Sequence, residues 1–328
     1  MSGFRRILVT GAAGFVGRHV SDALARAWPQ ARLVALLRPG ETGAPAGFEP
    51  VVADLLDERA IDGLVAQTNP DLVVHLAGQA SIGHADKATD LTWRTNFHGS
   101  YGLGAAVARH APDAVLFFAS SATVYGASFL QGALAEDAPL RPLEAYGRSK
   151  VAAEYALSDL VGPAGRLVIV RPVNHSGPGQ RSPNFVLASF AAQIADIEAG
   201  RAEPRLHVGD LSKARDFLDV RDVVDAYVRL IACARDLPER VSIFNVASGD
   251  AYEIGAILDE FRKRARRTFE VIVDPGRLRP AAIDIPKIVC DPSKLRGLTG
   301  WGPRHTLGDL VGDLLDECRA SRVDRSES

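Results

Sequence analysis

The chain has 328 residues, 47% hydrophobic and 24% charged, with 30 glycines and 19 prolines spread along it. That composition excludes a disordered, collagen-like or disulfide-knot protein and leaves material for about two folding units at roughly 150 residues each. A near-balance of 38 basic against 40 acidic side chains gives a formal charge of −2, so no global field selects a nucleic-acid duplex or an anionic membrane as partner.

The opening MSGFRRILVTG carries only a short apolar run before glycine, and no segment approaches 18 uninterrupted apolar residues, which predicts an unprocessed chain that does not enter a membrane. Further along, short aliphatic or β-branched runs at 6–9, 33–37, 51–53, 72–75, 114–118 and 167–171 alternate with helical stretches near 15–27, 58–67, 88–110 and 144–160. This alternation predicts an α/β fold, a Rossmann-type doubly wound parallel sheet. After Arg171 the residues Pro172, Gly177, Pro178, Gly179 and Pro183 punctuate a loop, followed by a helix at about 185–200. The segment 215–231 reads as a loop or short strand running into a helix, and 242–247 as a strand; both are expected to return to the first domain. Helices near 253–266 and 306–320 complete the chain. The predicted division is 1–172 plus about 206–247 for dinucleotide binding, and about 173–205 plus 248–328 for a smaller discontinuous substrate domain. Cys233, Cys290 and Cys318 form neither a CxxC pair nor a disulfide framework, so no metal centre is expected and a reducing, cytoplasmic location is.

The first motif with chemistry in it is TGAAGFVG, between the first strand and the first helix. Gly11 would permit the tight turn, Gly14 would let the backbone approach a pyrophosphate, and Gly17 would let helix and strand pack closely. The helix N-terminus at Phe15 and Val16 would face the phosphates. Where an NAD site would place a carboxylate after the second strand, the sequence reads Leu36, Leu37, Arg38. A guanidinium there suits a 2′-phosphate, so NADPH is the expected cofactor, with NADH also usable. Asp54 and Leu55 after the third strand would meet the adenine, and Leu76, Ala77 and Gly78 after the fourth would allow close approach to the cofactor.

A second constellation is SSATVYG at 120–126 followed by YGRSK at 146–150. Tyr146 and Lys150 are one helical turn apart and share a face. The ammonium, with an oxidised nicotinamide, would lower the phenol's pKa so that Tyr146 can shuttle a proton, while Ser121 hydrogen-bonds the substrate oxygen as charge develops.

These residues resemble the extended short-chain dehydrogenase/reductases, the group of nucleotide-sugar epimerases, dehydratases and reductases. TGAAGFVG, HLAG, TNFHG, SSATVYG and YGRSK stand in that family's order across nearly the whole chain. The resemblance implies that Ser121, Tyr146 and Lys150 are catalytic, that Asn96 supports the active-site backbone, that Lys150 and Arg171 contribute to the cofactor site, and that Ser81 and Thr123 face the substrate. The segments RPVNHSGPGQ, HVGDLSKARDFLDVRDVVDAY, FNVASG, RLRP and LTGW look most like the branch that reduces GDP-6-deoxy-4-keto-hexoses. On that resemblance Asn174 would contact the sugar or pyrophosphate, and Arg215 and Arg279 would grip the diphosphate and nucleotide ribose, a task suited to arginine forks.

Dehydratases of this group carry a carboxylic acid where Thr123 stands, and a threonine hydroxyl cannot shuttle a proton at neutral pH, which disfavours elimination of water. The branch's reductases often carry Glu there as well, which leaves the exact substrate open. His84 and His175 are candidate surrogate acids. The expected reaction is NADPH-dependent reduction of the C4 ketone of a GDP-6-deoxy-4-keto-hexose to a GDP-6-deoxyhexose such as GDP-D-rhamnose. A 4-epimerase or 4-dehydrogenase on the same triad is the alternative, and a non-catalytic cofactor-binding protein a more distant one. The long helices at 88–110 and 144–160 resemble those forming a homodimer interface in the family.

Overall fold

The computed structural model describes residues 3–79, 88–280 and 283–323. Its main sheet is built from strands whose residues are apolar on both sides. In β1 (Arg6–Thr10), Ile7 and Val9 enter one core and Leu8 the other; β4 (Leu72–His75) divides Leu72 and Val74 from Val73 in the same way. β5 (Val115–Ala119) and β6 (Arg166–Pro172) repeat the pattern, the mark of a parallel sheet covered on both faces. With β2 (Arg32–Leu37), β3 (Glu49–Val52) and β11 (Val241–Val246) these form a seven-stranded sheet in the order β11-β6-β5-β4-β1-β2-β3. Every pairing in it is parallel. The chain runs outward from β1 in one direction through β2 and β3, then crosses back to β4. The crevice between the carboxyl ends of β1 and β4 is therefore the topological switch point, where open α/β sheets bind ligands.

Helix α1 (Phe15–Ala27) follows β1 directly and α2 (Glu58–Thr68) is capped by the Asp57 carboxylate, which accepts from the N–H groups of Arg59 and Ala60. The helix expected at 88–110 is divided: α3 (Thr89–Trp93) passes into a π-helical turn at Arg94–Gly99 and then α4 (Ser100–His110). The wider turn is invisible to a 3.6-residue pattern, and it carries Asn96, which is fully buried. Helix α5 (Ala145–Leu160) lies against the same face.

Beyond β6, β7 (Asn174–Ser176) and α6 (Val186–Glu198) leave the sheet. β8 (Arg205–Val208) does not return to it, contrary to the expected boundary near 206. It pairs with β13 (Glu270–Val273), and Leu206 and Val208 pack with α6, α8 (Ile254–Arg264) and α10 (Leu307–Val323) in a separate core. β9 (Ala214–Arg215) likewise pairs with β12 (Tyr252–Glu253) and β14 (Lys287–Ile288). β10 (Phe217–Asp219) pairs with β7 in a separate two-stranded sheet, and the chain rejoins the main core through Leu218 and through α7 (Val220–Cys233), whose Val223, Tyr227 and Leu230 pack there. Short α9 (Ser293–Thr299) follows β14. No described helix is long and apolar enough to cross a membrane.

Candidate active site

The turn from β1 into α1 is shaped by what glycine lacks. Gly11 has φ +72°, and a Cβ there would stand 2.8 Å from the Ala77 nitrogen; a Cβ on Gly17 would stand 1.9 Å from the Gly11 carbonyl oxygen. Neither position admits a side chain. Gly14 is the N-cap of α1 and has no side chain to take the N–H groups of the first turn, leaving them for an anion. At the end of β4 a Cβ on Gly78 would lie 2.8 Å from Asn96 Oδ1 and 3.4 Å from Lys150 Nζ, so the backbone there leaves a slot beside the lysine. These cradles fit a dinucleotide lying across the switch point, and Leu76 and Ala77 beside them are partly buried against the two cores of the sheet. After β2, Arg38 is exposed and pairs with Glu41 at 3.3 Å, and after β3, Asp54 is exposed with Oδ1 accepting from the Leu56 N–H, above a buried Leu55. A cavity of about 450 Å³, lined by Ala13, Phe15, Arg18, His19, Gly179 and Arg181, separates the glycine turn from the loop after β7.

Beneath the switch point runs a buried chain of hydrogen bonds. Ser100 Oγ donates to the Asn96 carbonyl at 2.6 Å, so it accepts from His75 Nε2–H at 2.9 Å; His75 Nδ1 is then bare and accepts from Thr10 Oγ1 at 2.6 Å. Thr10 Oγ1 in turn accepts from the Ala77 N–H. The network thus assigns His75 as the neutral Nε2–H tautomer, and burial together with the Lys150 charge holds its pKa down to about 3. Asn96 closes the chain on the catalytic helix: its side chain accepts from the Gln79 N–H at 2.7 Å and donates to Ser149 Oγ at 3.1 Å, which donates to the Tyr146 carbonyl.

Ser121, Tyr146 and Lys150 converge above this support, all buried. The Ser121 hydroxyl faces the Tyr146 phenol and pulls its pKa down. It also accepts from the Thr123 N–H at 3.2 Å and from Thr123 Oγ1 at 3.0 Å. Lys150 Nζ donates to the Ala119 carbonyl at 2.8 Å and lies 4.8 Å from the centre of the Phe118 ring. The pKa expected to fall at Tyr146 does not fall on the protein's own groups: burial pushes the phenol up, and only the Ser121 hydrogen bond pulls against it. Burial also brings Lys150 down to about 8, with Glu154 one turn away opposing. Because the folded state releases this proton near pH 8 and the unfolded chain only near 10.5, Lys150's contribution to stability rises with pH across that window. The ammonium, and turnover that needs it, declines over the same window. Urea titrations of wild type and Lys150→Met at several pH values from 7.5 to about 10.5 should diverge in that sense; parallel curves would contradict the lowered pKa.

Arg171 is a correction. Expected at the cofactor, it is instead enclosed: Nε and Nη2 donate to the Glu154 carboxylate at 3.1 and 2.6 Å, and Nη1 donates to the Tyr125 hydroxyl and to the Glu136 carbonyl. Ser120 also donates to Glu154. With its fork committed to a buried carboxylate, Arg171 ties β6 to α5 and has no face toward a ligand.

On the substrate side, Asn174 is exposed at the start of β7. Arg215 is pulled down to about 10 by burial and by the like charge of Arg279, with Asp284 3.8 Å away as its partial counterion. Arg279 itself lies 3.8 Å from Glu144, just ahead of Tyr146. His175 is turned inward, its Nδ1 donating to the Val173 carbonyl, and burial lowers its pKa. Ser81 and His84 lie outside the described residues. Sequence reasoning missed the supports, Ser149, His75, Thr10 and Glu154. The last sits four residues after Lys150, a spacing that could have singled it out. Among the described residues no group of His, Cys, Asp or Glu side chains could hold a metal ion.

With this geometry in view, residues 7–247 match the family described as Epimerase, the NAD dependent epimerase/dehydratase family. The chain is 33% identical to a GDP-6-deoxy-D-mannose reductase of Pseudomonas aeruginosa, over 95% of this chain and 97% of that protein. It is 27% identical to a UDP-glucose 4-epimerase of Bacillus subtilis, over 94% and 95% of the respective chains. The solved structure of RMD from Pseudomonas aeruginosa complexed with NADPH superposes with a TM-score of 0.80 at 29% identity, covering 97% of this chain and all of that one.

Proposed function

The chain belongs to the NAD dependent epimerase/dehydratase family, and from that premise we propose that it reduces the C4 ketone of a GDP-6-deoxy-4-keto-hexose with NADPH, giving a GDP-6-deoxyhexose such as GDP-D-rhamnose. The observation that carries the reading is the Ser121–Tyr146 pair bonded to a hydroxyl, Thr123, rather than flanked by a carboxylate. Such a site can polarise and protonate one carbonyl oxygen but lacks the second acid that elimination of water needs. The likeness to a GDP-sugar reductase over nearly the whole chain supports the substrate, and Arg38, where an NAD site would carry an acid, supports NADPH.

A bound nicotinamide supplies the hydride that becomes the new C–H bond at C4. Ser121 donates a hydrogen bond to the ketone oxygen and strengthens its hold as negative charge grows there. Tyr146 transfers its phenolic proton to that oxygen, forming the alcohol and leaving a tyrosinate. The Lys150 ammonium, one turn after Tyr146 on the same helix, stabilises that anion, and Arg215 with Arg279 grips the diphosphate so that the sugar is presented in one orientation. Removing one fork, as in Arg215→Ala, is expected to raise KM for the nucleotide sugar roughly tenfold or more with a smaller change in kcat. An unchanged KM would take the diphosphate away from this pair.

The test of the reading is NADPH and NADH consumption with GDP-6-deoxy-4-keto-mannose and, in parallel, its dTDP-hexose counterpart, with NMR of the sugar product. Oxidation with the GDP substrate supports the reductase, and the C4 configuration names the product. No net oxidation with either keto sugar, together with interconversion of the C4 epimers of a 4-hydroxy nucleotide sugar such as UDP-glucose, would favour the epimerase that the UDP-glucose 4-epimerase likeness represents.

The same premise extends to a cytoplasmic homodimer. Exposed Leu91, Tyr101 and Tyr155 share a surface with Trp93 and Phe97, whose rings lie 6.3 Å apart, and Phe97 meets Tyr101 at 6.4 Å. An aromatic patch of this kind is the anatomy of an interface centre. Light scattering should give twice the 35.0 kDa chain mass, falling to the single-chain value for Tyr101→Glu with Tyr155→Glu; a wild-type monomer would refute the dimer.

A further inference from the structure

We propose that Thr123 is a positioning residue that makes Ser121 a one-way hydrogen-bond donor. A serine hydroxyl has one hydrogen to give and two lone pairs to receive with, and left alone its rotor is free to present either. Here Ser121 Oγ is the acceptor for both hydrogens of Thr123 that can reach it, the backbone N–H at 3.2 Å and Oγ1–H at 3.0 Å. With both lone pairs engaged, its own hydrogen is left for a ketone oxygen brought between it and the Tyr146 phenol, whose pKa the Ser121 hydroxyl pulls down.

The arrangement follows from local backbone. Ser121 is extended, φ −162° and ψ 148°, and caps the 3₁₀ turn that begins at Ala122, so its side chain folds over the turn onto Thr123. Thr123 is half-buried, able to keep the bond while lying at the edge of the substrate space. Two donors feeding one acceptor also polarise that hydroxyl, strengthening the hydrogen bond it gives onward. Thr123 therefore acts by orientation, feeding the Ser121 oxygen so that its hydrogen stays available to the ketone. The inference rests on the reading that Ser121 and Tyr146 act on a carbonyl, but it holds equally for reduction and for epimerisation.

The test is Thr123→Val, which keeps the shape and the N–H and removes the Oγ1 donor. The expected result is a roughly tenfold fall in kcat with KM for the nucleotide sugar within about twofold, recovery in Thr123→Ser, and no further loss when the change is made on Ser121→Ala. A rise in KM with kcat preserved, or an undiminished loss in the Ser121→Ala background, would overturn the proposal and make Thr123 a direct substrate contact. A second readout needs no substrate: in protein labelled with ¹³Cζ-tyrosine, the Tyr146 resonance, identified by its disappearance in Tyr146→Phe, should shift in Thr123→Val and stay in place when the same change is made on Ser121→Ala. If no nucleotide sugar turns over, this spectrum still decides the point, since an unmoved resonance refutes the orientation whatever the reaction. Should Thr123→Val fail to fold by circular dichroism, Thr123→Ala serves in both measurements.

Discussion

Replacing Tyr146 with phenylalanine is expected to lower turnover by roughly 10³-fold while leaving cofactor affinity within about twofold. The substitution removes one oxygen from a buried ring and leaves the supports in place, since Ser149 bonds the Tyr146 carbonyl and not its phenol. What disappears is the group that delivers a proton to the forming alkoxide, and water cannot readily substitute where Ser121, Tyr146 and Lys150 are all buried. The check is steady-state kcat together with cofactor Kd from fluorescence titration. A variant within tenfold of wild type would mean that the proton comes from elsewhere. A variant that no longer binds cofactor would mean that the phenol positions the nicotinamide rather than the proton.

The second large effect is on stability. Arg171→Met should cost about 3–5 kcal/mol, because it leaves the Glu154 carboxylate buried with Ser120 as its remaining close donor. The pair is almost wholly shielded, with side chains 3% and 5% exposed, so solvent cannot take the place of the lost charge. Denaturant midpoints measure it, and the double variant Arg171→Met with Glu154→Gln should regain much of the loss by removing the orphaned charge. If the single variant costs under about 1 kcal/mol, the ion pair is incidental. Cofactor affinity in the folded variant should be unchanged, because the Arg171 fork is committed to Glu154.

Much of the architecture was legible because the central strands of the sheet are short runs buried on both faces, as Leu72–His75 shows. Gly11 and Gly17 mark a turn that excludes Cβ atoms, and Tyr146 and Lys150 share a helix face by spacing alone. What spacing could not convey was the destination of long side chains. Arg171 stands at the end of a strand, where a ligand contact is a fair expectation, yet its partner Glu154 comes from a different element and the pair settles in the core. The π-helical turn at Arg94–Gly99 breaks the period that would have announced it, and β8 finds its partner β13 more than sixty residues later, a pairing no local pattern reports. Tyr146 shows a third limit: spacing places the lysine, but burial, which pushes the phenol the other way, depends on everything packed around it.

The position of β11 at the edge of the main sheet has a consequence for how the protein can be made. Its neighbour β6 ends at Pro172, but the strand that covers it is not synthesised until residue 246, after most of the helix α6 region and β8 have emerged. A nascent chain paused before that point presents a bare strand edge, a template for unwanted pairing, and lacks Phe244 and Val246 from the core below it. Sheet completion therefore waits on a contact of long sequence separation, and until β11 has been synthesised the incomplete sheet is exposed to aggregation. A fragment cut after residue 172 inherits that bare edge permanently, so the cofactor-binding half cannot be prepared by simple truncation at the point where its first continuous stretch ends.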